Sequence, residues 1–291
     1  MAGLSPNLDE LLGRAWAVRT RHWPPVITAS VPVDTLPISV TGAHCGRDCA
    51  HCGGHYLRGM RPLEGLRPGA APSLLISGGC NACGRVPVRE HRDELLPHIQ
   101  GRRTNWHLGV VEGEDLEALD GLLDVVSFDF VGDDETLQEV YGPGTTVADL
   151  ERCLETLMPR ARVVPHVTVG LRGGRLGHEW PALERLGRFE FDSLVFLVLI
   201  PTAGTRYEAV QPPEPEAVAE ILAEARLRFP DVSLQLGCMR PKGAYREQLD
   251  PLAVRAGANV IVNPVRAAVT LAEELGLSWR TGHECCVFTP E

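Results

Sequence analysis

The sequence contains almost no lysine. Its 28 lysines and arginines are all arginine apart from Lys242, and acidic residues outnumber them, which gives a net charge of −10 at pH 7. Proteins that bind nucleic acid usually present a basic face to the phosphates. The shortage of positive charge therefore argues against nucleic acid as a partner.

Long hydrophobic runs are missing as well. No stretch reaches the roughly 18 consecutive apolar residues that a helix needs to cross a bilayer, so we expect no membrane partner. Acidic residues such as Asp9 and Glu10 stand where a secretory signal would carry its apolar core. The sequence therefore predicts a cytoplasmic protein.

The composition is otherwise that of a folded protein. Hydrophobic residues make up 44% of the 291 positions and charged residues 23%, so the chain can bury a core. Ser5 and Pro6 suit the start of a helix over 5–20. We expect three segments: an N-terminal helix and extension (1–34), a barrel (35–276), and a tail over the barrel mouth (277–291).

Short apolar runs recur between helical patterns and predict strands. Strands that alternate with helices form parallel βαβ units, and eight such units predict an α/β fold with a closed (β/α)8 TIM-type barrel. An open barrel of six units with a separate small lobe is the alternative. In such barrels the chemistry lies at the C-terminal ends of the strands. The eight candidate strands are 37–40, 74–77, 105–110, 125–130, 162–167, 193–200, 233–236 and 259–262.

Nine cysteines are many for a cytoplasmic chain, where clustered thiols more often bind metal than form disulfides. The first predicted strand runs into Cys45, Cys49 and Cys52, spaced as C-x3-C-x2-C. Three thiolates on one loop can hold three irons of a [4Fe–4S] cluster and leave the fourth iron open. The alternative is a structural zinc site completed by His44, His51 or His55.

The cysteine spacing after a first strand resembles the radical SAM (S-adenosylmethionine) superfamily. The resemblance implies that Cys45, Cys49 and Cys52 are catalytic cluster ligands and that SAM binds the open iron. Ser77-Gly78-Gly79, after the second strand, matches the stretch that contacts the SAM amino group. Asp129, at the end of the fourth strand, is expected either to contact the ribose of SAM or to cap the next helix. Arg172, after the fifth strand, is the candidate partner of the SAM carboxylate. One departure is His51, where the family usually has an aromatic residue.

Five further cysteines are candidate ligands of a second [4Fe–4S] cluster. An isolated cysteine can instead behave as a small buried hydrophobic residue. We expect that role for Cys153, which lies within a helical pattern, and not for these five. The side chains of the adjacent residues Cys285 and Cys286 tend to diverge, so we expect one of the two either to be free or to deliver sulfur. The five candidates are Cys80, Cys83, Cys238, Cys285 and Cys286.

Residues 35–288 resemble the biotin synthase and lipoyl synthase branch of the superfamily. Four stretches resemble one component of the two-protein lipoyl synthase: 45–60, 77–87, 236–241 and 284–286. The resemblance implies sulfur insertion into an octanoyl chain on a carrier protein or peptide, through a 5′-deoxyadenosyl radical and a sacrificial second cluster. A sister radical SAM subunit and an electron donor would be partners. The alternatives are a biotin synthase-type enzyme with another substrate, and a non-catalytic iron–sulfur or zinc scaffold.

Overall fold

The computed structural model of the chain describes residues 5–288. Over this range strands and helices alternate along most of the chain, and all strands belong to one sheet. The strands are β1 (Val26–Ser30), β2 (Thr35–Ser39), β3 (Arg61–Pro62), β4 (Ser73–Ser77), β5 (Arg103–Trp106), β6 (Val125–Asp129), β7 (Arg162–Val169), β8 (Ser193–Val198), β9 (Ser233–Leu236), β10 (Val260–Val262) and β11 (Ser278–Gly282).

Helices fill most of the connections between the strands. Short 3-10 turns lie at His55–Gly59, Arg89–His91 and Cys286–Phe288. The α-helices are α1 (Pro6–His22), α2 (Arg92–Ile99), α3 (Gly113–Ala118), α4 (Asp134–Tyr141), α5 (Val147–Leu157), α6 (Glu179–Leu186), α7 (Pro215–Arg228), α8 (Ala244–Arg255) and α9 (Arg266–Glu274).

The sheet is parallel throughout, and its order is β11-β1-β10-β9-β8-β7-β6-β5-β4-β2-β3. All eight predicted strands are present, as β2 and β4 to β10. The expected closed ring is not formed within residues 5–288. A closed barrel would pair its last strand with its first, but here β10 pairs with β1, and β1 pairs in turn with β11. The fold is an α/β half-barrel.

Alternate side chains of each strand point to opposite faces of the sheet. One face packs beneath the helices and buries side chains such as Leu74, Trp106 and Phe196. The other, which we call the concave face, carries an apolar cluster with members on β6, β7, β8 and β10. The 3-10 turn Cys286–Phe288 belongs to the same cluster, so the sheet curves around the end of the chain.

The tail enters the half-barrel from the end opposite the mouth. Arg162, which begins β7, donates from Nη1 to the carbonyl of Val287 at 2.6 Å, and the guanidinium of Arg103, which begins β5, lies 5.0 Å from the Phe288 ring centroid. The expectation that the tail covers the mouth is therefore wrong. Apolar Val287 and Phe288 are buried by covering the valines at this end of the concave face. Residues 289–291 lie outside the described residues.

Helix α1 begins as the sequence predicts. The Ser5 hydroxyl accepts a hydrogen bond from the Leu8 amide at 3.3 Å, and the helix packs against α7 and α8. Residues 1–4 of the predicted N-terminal segment lie outside the described residues. Between residues 5 and 288 no helix combines the length and apolarity required to cross a membrane.

Candidate active site

The cysteine loop follows β2 and is held from both sides. The amide of Ala50, which is fully buried, donates to the Val140 carbonyl at 2.8 Å. The Ala50 carbonyl in turn accepts from the Tyr207 amide at 3.0 Å. These contacts fix the centre of the loop to α4 and to the segment after β8, so Cys49 and Cys52 lie at the C-terminal end of the sheet.

The glycine pair after β4 contacts the cysteine loop directly. A Cβ atom on Gly79 would lie 2.0 Å from the carbonyl oxygen of His44 and 2.5 Å from Cα of Cys45. The Gly79 amide donates to the Thr41 hydroxyl at 2.7 Å, and the Gly46 amide donates to the Cys80 carbonyl at 2.8 Å. Glycine is therefore required at position 79, because the two backbones touch.

The three loop cysteines are each partly exposed, and their thiols are close enough to affect one another. Burial first, and then negative charge on Cys52, Cys80 and Cys45, raise the pKa of Cys49 to about 12, against a lowering by Arg47. Ionising all three thiols together therefore requires added positive charge. An iron–sulfur cluster provides that charge, so the donor set fits the cluster that the sequence predicts.

A recess opens beside Cys49. Its wall contains Ser127 and Asp129 from β6, together with Tyr141 at the end of α4. Asp129 is exposed, and its charge acts on the pKa of Tyr141, which burial raises well above the ordinary value. The predicted Asp129 thus lies at the same recess as the cysteine loop. Ser77 is directed to the neighbouring strand, where its hydroxyl donates to the His107 carbonyl at 3.2 Å.

His51 occupies a largely buried position beneath the loop. Its ring meets Tyr141 edge-on, with 5.6 Å between the centroids, and burial lowers its pKa to about 4. Its Nδ1 atom has no hydrogen-bond partner in the structure. The imidazole is therefore a neutral aromatic group packed beside the recess.

Arg172 is held by two carboxylates rather than by the recess wall. Its side chain pairs with Glu135 and, at 2.6 Å, with Glu139, both on α4. The Tyr207 hydroxyl donates to the same Glu139 carboxylate at 2.8 Å. The structure thus places Arg172 in a surface ion-pair network, apart from the other predicted SAM contacts.

The five remaining candidate ligands fall into two places. Cys80 lies beside the cysteine loop, since its pKa is raised by burial and then by charge on Cys45, and Cys83 is exposed on the loop that follows. Cys238, Cys285 and Cys286 influence one another's pKa on the concave side of the sheet. Among residues 5–288 no group of three histidine, cysteine, aspartate or glutamate side chains converges tightly enough for a single metal ion.

Cys238 and Cys285 face a polar part of the concave interior. Cys238 has accessible surface, and burial followed by charge on Cys285 raises the pKa of its thiol. The thiol of Cys285 accepts from the Asn105 amide, with 3.6 Å between Nδ2 and Sγ. Hydrogen bonds, first of all from Cys286, lower the pKa of Cys285 to about 7.

Sequence reasoning missed His166 and Gln235, two polar residues of the concave face. His107 and His166 lie with their ring centroids 5.6 Å apart, and Gln235 is fully buried with no hydrogen-bond partner for its side-chain nitrogen or oxygen. The alternation of strand residues could have found them, because each has the inward parity of its strand.

No protein-family model matches the chain. Among curated proteins it is similar to the biotin synthase of Shewanella sp. strain ANA-3, with 24% identity over 307 residues that cover 94% of this chain and 83% of the relative. It is also similar to the biotin synthase of Pseudomonas savastanoi pv. phaseolicola, with 27% identity over 278 residues, covering 87% and 75%.

Two solved structures share the fold. Methylornithine synthase (PylB) aligns with a TM-score of 0.66 and 14% identity, covering 96% of this chain and 91% of that chain. The FeFe-hydrogenase maturase HydG from Carboxydothermus hydrogenoformans aligns with a TM-score of 0.68 and 15% identity, covering 96% and 73%. These identities establish the fold alone.

Proposed function

We propose that this chain is a radical SAM enzyme whose [4Fe–4S] cluster is held by Cys45, Cys49 and Cys52. The observation that carries the proposal is the contact between the cysteine loop and Gly79, beside a recess that contains Asp129. When bound, such a cluster supplies one electron that cleaves SAM into methionine and a 5′-deoxyadenosyl radical.

The side chains around the recess would position SAM. Gly78 and Gly79 allow SAM to approach the backbone closely, and Asp129 is placed to accept a hydrogen bond from a ribose hydroxyl of SAM. Arg172 is left out of this site because Glu135 and Glu139 engage it. Arg47 replaces it in our proposal, since it lines the recess and its present bonds to the Ala82 carbonyl are long, at 3.3 and 3.4 Å.

We further propose that the enzyme inserts sulfur into an unactivated C–H bond of a protein-bound octanoyl chain, as a lipoyl synthase component. The similarity to biotin synthases supports this choice. An octanoylated carrier protein or peptide, a sister radical SAM subunit and an electron donor are the proposed partners. The candidate ligands of a second [4Fe–4S] cluster lie in two places, so the proposal assigns that cluster no ligand set.

Hydrogen abstraction without sulfur insertion is the second candidate function. The separation of Cys80 and Cys83 from Cys238 and Cys285 favours it, because a sacrificial cluster would need three or four of these thiols together. The polar residues of the concave face, such as Gln235, also suit a substrate with hydrogen-bonding groups.

The test is anaerobic reconstitution with iron and sulfide, followed by dithionite, SAM and an octanoyl-lysine peptide. We expect about four irons per chain, the number in one cubane cluster, and 5′-deoxyadenosine by mass spectrometry. A peptide heavier by one sulfur establishes insertion. Formation of 5′-deoxyadenosine without added sulfur supports the second candidate.

Matched variants locate the cluster. Cys45→Ala, Cys49→Ala and Cys52→Ala should each lose iron and 5′-deoxyadenosine, whereas Cys83→Ala, on the exposed loop, should keep both. If the three loop variants retain iron and Cys83→Ala does not, the cluster lies elsewhere and the proposal is wrong.

A further inference from the structure

The segment that follows β8, residues 202–207, contacts the cysteine loop, and we call it the strap. The Tyr207 amide donates to the Ala50 carbonyl at 3.0 Å. The Arg206 guanidinium donates to the Asp48 carbonyl at 3.4 Å. These two carbonyls flank the middle cysteine of the loop in the sequence, so the strap fixes the course of the backbone at that ligand.

The strap is bonded in turn to the end of α4. Arg206 also donates to the carbonyls of Glu139 and Val140, at 3.1 and 3.3 Å. These are among the last carbonyls of the helix, which have no partner within it. The Tyr207 hydroxyl donates to the Glu139 carboxylate at 2.8 Å. The strap therefore lies between α4 and the cysteine loop and is hydrogen-bonded to both.

Glu139 is the residue at which three segments meet. Besides Tyr207, its carboxylate accepts from Arg172 at 2.6 Å and from Arg175 at 2.8 Å, both on the connection between β7 and α6. Hydrogen bonds, first from Arg172 and then from Tyr207, lower the pKa of Glu139 against the effect of burial. A continuous series of contacts thus leads from Arg172 through Glu139 and Tyr207 to Ala50 in the cysteine loop.

We propose that Glu139 and Tyr207 are positioning residues of the iron–sulfur cluster. They hold the strap, and through it the cysteine loop, in the geometry that binds iron. Arg172 belongs to the same unit and acts through Glu139, rather than as a ligand of the SAM carboxylate. This inference rests on the proposed [4Fe–4S] site. Residues that hold metal ligands in place typically contribute a factor of 10 to 100 to metal affinity.

The alternative is an ordinary surface ion-pair network, which would contribute little. Tyr207 argues against that alternative because it is buried, with 8% of its surface exposed. A Cβ atom on Gly173 would lie 3.7 Å from its ring, so the connection after β7 packs against the tyrosine as well. Its hydrogen bond goes to a charged acceptor, which makes it stronger than one between neutral groups. We therefore expect Tyr207 to contribute more than the exposed arginines.

The rate of iron loss tests the assignment. Tyr207→Phe removes only the hydroxyl that reaches Glu139. After anaerobic reconstitution we expect this variant to hold about four irons and to release them to a chelator roughly tenfold faster than the wild type. Tyr245→Phe is the matched control, since its hydroxyl also donates one short hydrogen bond, to the Pro213 carbonyl at 2.6 Å, and lies on α8. The control should release iron at the wild-type rate.

Arg172 distinguishes positioning from SAM binding. Arg172→Gln should release iron roughly threefold faster, the effect of one surface ion pair, and Arg172→Lys should restore the wild-type rate. The KM for SAM, measured by 5′-deoxyadenosine formation in freshly reconstituted protein, should stay at the wild-type value in both. A ligand of the SAM carboxylate would show the opposite pattern, a KM raised roughly tenfold with unchanged iron release, and that result would overturn the inference.

Urea unfolding of the iron-free proteins, followed by circular dichroism, separates positioning from a general loss of structure. We expect equal midpoints for Tyr207→Phe and Tyr245→Phe. A much lower midpoint for Tyr207→Phe, or equally fast iron release from the two variants, overturns the inference. If the wild type holds about four irons and Tyr207→Phe releases them at the same rate, only the positioning role fails. If the wild type holds no iron, the proposed function fails and this inference fails with it.

Discussion

A single methyl group at Gly79 would collide with the backbone of the cysteine loop. Its Cβ atom would lie 2.0 Å from the His44 carbonyl oxygen, a separation that only movement of the loop can relieve. We therefore expect Gly79→Ala to lose most of its reconstituted iron while its circular dichroism stays native. Gly59→Ala is the control, since its Cβ would meet nothing within 4 Å. Equal iron in the two variants would contradict the prediction.

His107 gives a second prediction, on pH. Burial lowers the pKa of His107 to about 3 in the folded chain, and the neighbouring His166 contributes, whereas the unfolded chain titrates near 6.5. Below about pH 6.5 the unfolded state binds a proton that the folded state does not, so stability falls as the pH decreases toward about 3. His107→Asn should flatten this fall by up to about 1.4 kcal/mol per pH unit.

Urea unfolding between about pH 6 and pH 4 measures the slope, which is independent of any constant loss of stability in the variant. Parallel curves for the wild type and His107→Asn would show that His107 does not titrate differently in the two states. His166→Asn should also flatten the curve, because burial lowers the pKa of His166 as well.

The sequence predicts candidate residues of the recess wherever the pattern is local. The glycine pair directly follows the predicted strand 74–77, and the loop cysteines lie on the segment that leaves the strand 37–40, so strand ends were enough to bring them together. Arg172 also follows a strand, but its partners Glu135 and Glu139 lie on α4 and become visible only when the helix is packed. Contacts between distant segments therefore decided which candidate faces the recess.

Elements were predicted well where the apolar pattern is strong. The apolar patterns over 147–157 and 215–229 predict helices and form α5 and α7, whereas the pattern over 116–123 predicts a helix that is shorter and earlier in the structure, as α3. Strands β1 and β11 were missed because β1 lies in a proline-rich stretch and β11 is mostly polar, with the sequence Ser-Trp-Arg-Thr-Gly. β1 pairs with β10, and β11 pairs with β1, so these two strands take the place of the expected closure of the barrel.

We expect removal of the tail from the interior to lower the free energy of unfolding strongly. Val287 has no exposed surface and lies among valines of four strands. Val287→Asp would bury an unpaired carboxylate there, so we expect a loss of at least about 3 kcal/mol in the free energy of unfolding. Val33→Asp is the matched control, because Val33 is 72% exposed and its change should stay within about 0.5 kcal/mol.

Urea titration at neutral pH compares the two valine variants. Similar midpoints for Val287→Asp and the wild type would mean that the tail does not occupy the interior in solution. A recess that Arg103, Glu284 and Phe288 line together would then lack one of its walls.

At the scale of the whole molecule, the half-barrel has two chemically different ends. The C-terminal end carries the cysteine loop and an exposed carboxylate, Asp129, while the other end is closed by the tail and by Arg103 and Arg162.

An open sheet should also open unevenly. All six residues of β8 are buried between β7 and β9, whereas both residues of the edge strand β3 are exposed and β11 pairs on one side only. We expect β8 amides to exchange with deuterium only through global unfolding, and β11 amides through local opening that costs several kcal/mol less, on the order of half the global value. Low urea should accelerate exchange in β8 and leave β11 almost unchanged. If β11 exchanged as slowly as β8 and with the same urea dependence, the edge would belong to the same cooperative unit as the core, and the half-barrel would behave in solution as a closed structure.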